Sequence, residues 1–172
     1  PENKFTWLFS ATMPQEVARI AKDFMSNPTE ITVGHKNQGN TSVTHEYYVV
    51  NARDRYSALK RLADSNPDIF SVIFCRTKHS VDEVVAAMSQ KHYNVEAMHG
   101  DLSQNQRSKT LKRFKNGQIQ YLVATDVAAR GIDVDNISHV INYEMPQEEE
   151  LYIHRIGRTG RANKKGEAYS IV

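Results

Sequence analysis

The 172-residue chain has the composition of an ordinary globular domain, with 40% hydrophobic and 24% charged residues, which excludes a disordered, collagenous or coiled-coil protein. Its 22 Lys and Arg residues against 20 Asp and Glu residues leave a net charge of only +2, so affinity for nucleic acid has to come from local basic clusters. The single cysteine, Cys75, excludes an internal disulfide and a cysteine-based zinc site, and we expect a reducing compartment and no metal site.

The first 33 residues contain three predicted elements. The apolar run Thr6–Phe9 is typical of a buried strand, and a helix is expected after Pro14 because proline is favoured in a first helical turn. The apolar face of this helix consists of Val17, Ile20, Ala21 and Phe24. A second short strand is predicted over Ile31–Val33. Because the sequence lacks an initiator Met and opens almost directly on a strand, we expect it to be a piece of a longer chain.

Residues 34–44 form the predicted linker between two domains. The segment opens with GHKNQGNTS, which is polar, contains two glycines and shows no apolar periodicity. Beyond it, residues 45–172 alternate between stretches with apolar residues at every second position and stretches with apolar residues three or four positions apart. This alternation is typical of an α/β protein with a parallel sheet.

Strands are predicted after the linker at His45–Val50, Val72–Cys75, Val95–Met98, Ile119–Thr125, His139–Asn142 and Ala168–Val172. Helices are predicted between them at Tyr56–Ala63, from Ser80 onward, at Ser103–Lys115 and at Glu148–Ile156. We expect the helix after Ser80 to begin with a capping box, because Glu83 follows three positions later. Together these elements predict a parallel sheet with helices on both faces.

Polar loops follow several of the predicted strands. They are Ser10-Ala11-Thr12, Arg76-Thr77-Lys78, His99-Gly100-Asp101 and Thr125-Asp126. In a parallel sheet such loops meet at the carboxyl edge, where helix N-termini can bind anions. Ser10, Thr12 or Thr125 taken alone would be interpreted as a helix cap. Four such loops at one edge favour a phosphate-binding site.

Positive charge is concentrated in two segments. The first is the helix Ser103–Lys115, which contains Arg107, Lys109, Lys112, Arg113 and Lys115 and no acidic residue, although many such runs are only a solvated helix face. The second is His154–Arg161, with the sequence HRIGRTGR. Its glycines disfavour a continuous helix and let the backbone turn the arginines toward a ligand. A guanidinium binds phosphate oxygens in pairs and can stabilise phosphoryl transfer, so surface charge alone is the weaker interpretation.

The segment Arg130-Gly131-Ile132-Asp133 adds a further candidate for nucleotide binding. Gly131 allows close approach to a phosphate, and the Asp133 carboxylate can accept a hydrogen bond from a ribose hydroxyl. Asp133 could equally be a turn or cap residue.

Motifs for independent ATP binding are absent from the sequence. There is no Gly-rich loop ending in Gly-Lys-Thr and no Asp-Glu step after an apolar strand that would bind Mg²⁺. No apolar run approaches the roughly 20 residues that span a bilayer, and the first residues show no signal-peptide pattern. We therefore expect a soluble cytoplasmic protein.

In chain order, these motifs resemble the later motifs of the DEAD-box RNA helicases over essentially the whole sequence. They are Ser10-Ala11-Thr12, IFCRT at residues 73–77, His99-Gly100-Asp101, Gln104 with Arg107, VATDVAARGID at residues 123–133, and HRIGRTGR. The resemblance implies a RecA-like, P-loop NTPase-like second helicase domain at residues 45–172. Residues 1–33 would be the tail of a first RecA-like domain. The two domains would close on ATP and single-stranded RNA.

The resemblance also implies roles for individual residues. Arg158 and Arg161 would be arginine fingers on ATP, and Asp133 would contact its ribose. His154 and Arg155 would couple the interdomain cleft to the first domain, while Ser10 and Thr12 would link ATP hydrolysis to strand separation. The residues that would contact RNA phosphates and sugars, without reading bases, are Arg76, Thr77, Gly100, Asp101, Gln104, Arg107, Thr125 and Gly131.

The sequence would then hold half of an active site. The family's adenine-reading glutamine motif, phosphate loop and Asp-Glu-Ala-Asp motif for Mg²⁺ all precede the Ser-Ala-Thr motif. ATP and Mg²⁺ would thus be bound with the first domain, and the chain alone should neither hydrolyse ATP nor unwind a duplex.

Two alternatives remain from the residues themselves: a DNA helicase or translocase, and a nucleic-acid-binding module without an ATP role. Arg158 and Arg161 argue against the binding module, because a plain binder has no use for arginines held by glycines at a helix end. The choice of RNA over DNA rests on the resemblance.

Overall fold

A computed structural model describes residues 4–10, 13, 15–32, 42–161 and 164–172. The chain divides into two compact units, Pro1–Gly39 and Asn40–Val172. Thr12, Val33 and most of the predicted linker, residues 34–41, lie outside the described residues.

In the first unit, the predicted helix is confirmed and the predicted strands are not. Helix α1 spans Gln15–Phe24. Residues 4–10 form no regular element, and Trp7 and Phe9 are exposed, so the strand prediction at Thr6–Phe9 is wrong. A strand needs a neighbouring strand for its N–H and C=O groups, and the described residues of this unit provide none. Ile31 and Thr32 are irregular for the same reason.

The second unit is built on a six-stranded sheet in which every pairing is parallel. Its strands are β1 (Val43–Tyr48), β2 (Ser71–Cys75), β3 (Val95–Met98), β4 (Tyr121–Thr125), β5 (His139–Asn142) and β6 (Gly166–Ile171). Their order across the sheet is β1-β6-β5-β2-β4-β3. All residues of β2 are buried, as expected for a strand covered on both faces. The predicted parallel α/β fold is confirmed.

Helices connect these strands and cover both faces of the sheet. They are α2 (Arg55–Ser65), α3 (Lys78–Gln90), α4 (Gln104–Lys115), α5 (Asp126–Ala129) and α6 (Glu149–Ile156), with a single 3₁₀ turn at Ala52–Asp54 before α2. Ile73 of β2 packs in a cluster with residues of α2 and α3. Its neighbour Phe74 packs in a second cluster with residues of α4 and α5. Successive strand residues point to opposite faces, so these two clusters form the two halves of the core.

The starts of α3 and α4 are fixed by side-chain caps. The predicted capping box of Ser80 and Glu83 is wrong, because α3 begins at Lys78 and its N-cap is Thr77, whose hydroxyl accepts the Ser80 backbone N–H at 3.1 Å. Helix α4 carries a complete capping box between Ser103 and Gln106. Among the described residues, no helix is long and apolar enough to cross a membrane.

Gly166 begins β6 directly against the segment that carries the HRIGRTGR motif. A Cβ atom at position 166 would collide with the Thr159 hydroxyl and lie 2.5 Å from the Gly160 nitrogen. Thr159 cannot yield easily, because its hydroxyl bonds the carbonyl oxygens of Ile137 and Ser138 at 2.6 and 2.9 Å. We expect Gly166→Ala to lower the free energy of unfolding by about 1–3 kcal/mol in a urea titration.

Gly100→Ala is the matched control, because a Cβ atom there would meet nothing within 4 Å. It should change the free energy of unfolding by less than about 0.5 kcal/mol. Equal effects of the two substitutions would contradict the close approach at Gly166.

Candidate functional site

The loops after β2, β3 and β4 are neighbours at the carboxyl edge of the sheet, because β4 pairs with both β2 and β3. They contain Arg76–Lys78, His99–Asp101 and Thr125–Asp126. The structure therefore brings together the polar loops predicted for the second unit. Ser10 is exposed in the first unit, and Thr12 lies outside the described residues.

Lys78 and Asp101 join the loops after β2 and β3. The Lys78 Nζ atom donates to Asp101 Oδ2 at 2.7 Å, and both side chains are largely exposed. This hydrogen bond lowers the pKa of the Asp101 carboxyl and raises the pKa of Lys78. Gly100 beside this pair is exposed, and a Cβ atom added to it would meet nothing within 4 Å, so an anion can approach its backbone from that side.

The two threonines at this edge differ in their surroundings. Thr77 caps α3, a role that the sequence suggests for Thr125 and not for Thr77. Thr125 occupies the corresponding position before α5, but its side chain makes no capping hydrogen bond. The Thr125 hydroxyl is thus the better placed of the two to bind a ligand.

Arg107 connects α4 to α5. Its Nη2 atom donates to the Ala128 carbonyl oxygen at 3.3 Å, and its Nε atom is buried without a hydrogen-bond partner. This contact directs the half-buried guanidinium toward α5, the helix that follows β4. Gln104 is exposed in the first turn of α4.

Arg76, at the end of β2, lies next to Glu144, which follows β5. The Arg76 backbone N–H donates to Glu144 Oε2 at 2.8 Å, and the Arg76 Nε atom lies 3.8 Å from Glu144 Oε1. The Arg76 side chain remains about half exposed.

Arg155 is the buried centre of this edge, with 1% of its surface exposed. Its Nε and Nη2 atoms donate to the two Asp126 carboxylate oxygens at 2.7 and 2.8 Å. Its Nη1 atom donates to Asn142 Oδ1 at 3.1 Å and to the Glu144 carbonyl oxygen at 2.6 Å. These donors are used inside this unit, where they hold α6 against the loops after β4 and β5. The expected coupling of His154 and Arg155 to a first domain stays a prediction.

Arg158 and Arg161 lie against the loop that contains Asp133. The Arg158 Nη1 atom donates to the Ile132 carbonyl oxygen at 3.1 Å. The Arg161 Nη1 atom donates to Asp133 Oδ1 at 2.9 Å, and its Nε atom to the Gly157 carbonyl oxygen at 2.8 Å. Burial, followed by the charge of Arg161, lowers the pKa of Arg158. Two guanidinium groups beside one exposed carboxylate form an arrangement that suits a phosphate and a sugar hydroxyl.

Glycines shape both segments that meet here. Gly131 has φ +80° and Gly160 has φ +67°, a region that side chains rarely adopt. Gly157, by contrast, has φ −64° and ends α6 without needing a positive φ. His154 is exposed in the last turn of α6 and lines a shallow depression with Arg130 and Arg158.

Three acidic residues organise the edge; Asp126 belongs to a predicted edge loop without an assigned role, and Asp82 and Glu144 are not among the predicted site residues. Asp126 and Glu144 hold Arg155 and Arg76, and Asp82 of α3 lies 3.1 Å from the Nε2 atom of the buried His99. Their only sequence signal is that Asp126 and Glu144 closely follow strands. Among the described residues, no group of three or more His, Cys, Asp or Glu side chains is placed to hold a metal ion.

Comparison with known families places this edge in context. The family model described as the helicase conserved C-terminal domain matches residues 54–163. The DEAD-box ATP-dependent RNA helicase RhpA of Helicobacter pylori is 45% identical over 165 residues, covering 96% of this chain and 34% of the relative. The DEAD-box ATP-dependent RNA helicase CshA of Bacillus licheniformis is 44% identical over 172 residues, covering 100% of this chain and 35% of the relative. The chain thus spans about a third of the length of these relatives.

Three solved structures that resemble this chain are also those of DEAD-box proteins. Saccharomyces cerevisiae Dbp5 bound to RNA and ADP BeF3 matches 95% of this chain and 44% of that chain, with a TM-score of 0.85 and 31% identity. The C-terminal domain of the DEAD-box protein Dbp5 matches with a TM-score of 0.69 and 33% identity, covering 76% of this chain and 77% of that one. Escherichia coli SrmB, bound to the regulator of ribonuclease activity A, matches 73% of this chain and 75% of that chain at 38% identity, with a TM-score of 0.68.

Proposed function

This chain belongs to the DEAD-box helicase family, in which it matches the C-terminal RecA-like domain, and we propose that the protein carrying it is an ATP-dependent RNA helicase. Its relatives are named as RNA helicases, which favours RNA over DNA as the nucleic acid. In this proposal residues 45–172 supply arginines to ATP hydrolysis and hold the RNA backbone. Residues 1–33 belong to the first RecA-like domain, and residues 34–44 link the two.

The observation that carries the proposal is that the arginines of HRIGRTGR differ in burial and in their contact partners. Arg155 forms a buried ion pair with Asp126, whereas Arg158 and Arg161 lie near the surface beside Asp133. An arginine finger has to be held in place by its domain and still reach a phosphate of the neighbouring domain. Arg158 and Arg161 suit this role, because carbonyl oxygens and one exposed carboxylate hold them while both side chains stay partly exposed.

ATP would supply the phosphoryl group that is transferred. The charged side chains of this edge suit ATP electrostatically, because they can contact its phosphates and its ribose. Arg158 and Arg161 would stabilise the charge that develops on the transferred phosphate, and Asp133 would accept a hydrogen bond from the ribose. Mg²⁺ and the remaining phosphate contacts fall to the first domain, since the sequence contains no phosphate loop.

The RNA surface is the row of loops at the carboxyl edge. Arg76, Gly100, Arg107 and Thr125 present a guanidinium, a backbone or a hydroxyl there, and these groups bind phosphates and sugars rather than base edges. The binding should therefore tolerate any sequence and weaken steeply with salt.

ATPase measurements test the proposal. Hydrolysis by a longer protein in which this chain follows a first helicase domain should be stimulated by oligouridylate more than by oligodeoxythymidylate. The 172-residue chain alone should show no RNA-stimulated hydrolysis. Equal stimulation by DNA, or activity of the chain alone, would contradict the proposal.

RNA binding by the chain tests the proposed edge. Arg107→Ala should weaken binding to oligouridylate and make the slope of log affinity against log salt shallower by about one, because one phosphate contact is lost. Lys109→Ala is the matched control on the same helix, since Lys109 is exposed whereas Arg107 is half-buried. Fluorescence anisotropy between about 50 and 200 mM salt measures both quantities. Equal losses in the two variants would indicate a diffuse charge effect and exclude a specific site at Arg107.

A further inference from the structure

Glu144 reaches from the end of β5 to Arg76 at the end of the adjacent strand β2. Its side chain is only 12% exposed, and the carboxylate contacts Arg76 in two ways. One oxygen accepts the backbone N–H at 2.8 Å. The other lies 3.8 Å from Nε, which is too long for a hydrogen bond but close enough for an ion pair. The guanidinium is thus attracted by the carboxylate without being fixed by it.

The two partners differ in their freedom to move. The Glu144 backbone N–H donates to the Phe74 carbonyl oxygen at 3.3 Å, and its own carbonyl accepts from the buried Arg155 at 2.6 Å. Glu144 is therefore held by the same network that anchors α6. The Arg76 side chain is 51% exposed and long, so a competing ligand moves Arg76 and leaves Glu144 in place.

We infer that Glu144 is a positioning residue that holds Arg76 in the absence of RNA and yields it to a phosphate of the RNA backbone. The inference rests on the proposed function, because it takes Arg76 as an RNA contact. A phosphate bound by Arg76 lies close to the Glu144 carboxylate, and the two negative charges repel each other. Glu144 thereby lowers the affinity of this edge for RNA, which favours dissociation of the RNA strand.

Glu144→Gln separates the charge of the side chain from its shape. The glutamine amide oxygen can still accept the Arg76 N–H, so the loop keeps its position, but the competing charge is removed. We expect the affinity for oligouridylate to rise by about three- to tenfold at low salt. The unmodified chain leaves a carboxylate unpaired on binding and takes up a cation, so the variant should show a salt slope steeper by up to about one.

The experiment compares the 172-residue chain with its variants by anisotropy of a fluorescein-labelled oligouridylate. Asp68→Asn is the matched control, because it makes the same change in net charge in the exposed loop before β2, at the opposite edge of the sheet. It should change the affinity by less than about twofold. In an Arg76→Ala background, Glu144→Gln should also give less than about a twofold gain, since no guanidinium remains to be released.

The outcomes distinguish this inference from the proposed function. If Arg76→Ala weakens RNA binding but Glu144→Gln changes neither affinity nor salt slope, the inference is overturned and the RNA edge stands. If Arg76→Ala and Arg107→Ala both leave binding unchanged, the proposed edge itself is wrong. A Glu144→Gln variant that loses stability and affinity together, with an unchanged salt slope, would show a purely structural role and overturn the inference.

Discussion

Arg158→Ala and Arg161→Ala should each lower the maximal rate of RNA-stimulated ATP hydrolysis by about 10³ to 10⁵ in the protein that carries both helicase domains. The expected loss is large because an arginine finger acts on charge that exists only in the transition state. Contacts with backbone carbonyl oxygens, and for Arg161 also with the Asp133 carboxylate, hold both guanidinium groups near the Asp133 loop. Single-turnover hydrolysis at saturating RNA measures the chemical step directly.

The controls separate catalysis from RNA binding. RNA affinity measured without nucleotide should change by less than about twofold in both variants, because neither arginine belongs to the proposed RNA edge. Lys165→Ala removes an exposed charge close in sequence and should leave the hydrolysis rate unchanged within about twofold. Should Arg161→Ala lose nucleotide-free RNA binding while keeping its maximal rate, the two arginines belong to the nucleic-acid surface instead.

Arg155→Met should lower the free energy of unfolding of the chain by about 3–5 kcal/mol. The substitution leaves the Asp126 carboxylate without its bidentate partner and removes the donors that Asn142 and the Glu144 carbonyl oxygen use. Breaking one side of a buried ion pair costs more than the pair contributes, because the remaining charge stays desolvated. Urea unfolding followed by circular dichroism measures the loss.

Two further variants make this second prediction specific. Arg155→Met combined with Asp126→Leu should recover part of the lost stability, because no unpaired carboxylate remains. Arg53→Met removes an arginine whose side chain is 86% exposed and should change the free energy of unfolding by less than about 0.5 kcal/mol. Similar effects for Arg155 and Arg53 would show that the buried network contributes little to the fold.

The strands and helices of the second unit could be predicted from the sequence because local periodicity follows from burial. The central strand at Val72–Cys75 is an unbroken apolar run, and the helix ending at Lys115 has both a cap and a stop signal. The strand at Thr6–Phe9 could not be judged in this way, since a strand depends on a neighbour that the apolar run does not specify. The predicted start of α3 differs from the observed one because Thr77 and Ser80 both suit an N-cap. Strand β2 ends at Cys75, and the helix begins soon after it, with Thr77 as the cap.

The parts of the candidate site that depend on local backbone conformation could be predicted from the sequence. The contacts between residues far apart in the sequence could not. Gly131 and Gly160 both have left-handed backbone conformations, which agrees with the expectation that glycines let these segments turn. The burial of Arg155 could not be foreseen, because Asp126, Asn142 and Glu144 come together only when β4 and β5 take their places beside β2. The same holds for Glu144 and Arg76, which are joined by sheet order and not by any local pattern.

The pairing of β1 with β6 determines how the second unit withstands mechanical tension. Six residue pairs, from Val43↔Gly166 to Tyr48↔Ile171, lie side by side in parallel, and the Gly166 N–H to Ser42 C=O and Val50 N–H to Val172 C=O hydrogen bonds extend the ladder at both ends. A pull along β1 from residue 42 loads all of these hydrogen bonds at once in shear. A sideways pull would break them one at a time, at much lower force. Strand β1 is thus attached in the manner that best resists being drawn out lengthwise, so that a pull along it moves the whole sheet and does not unravel its edge.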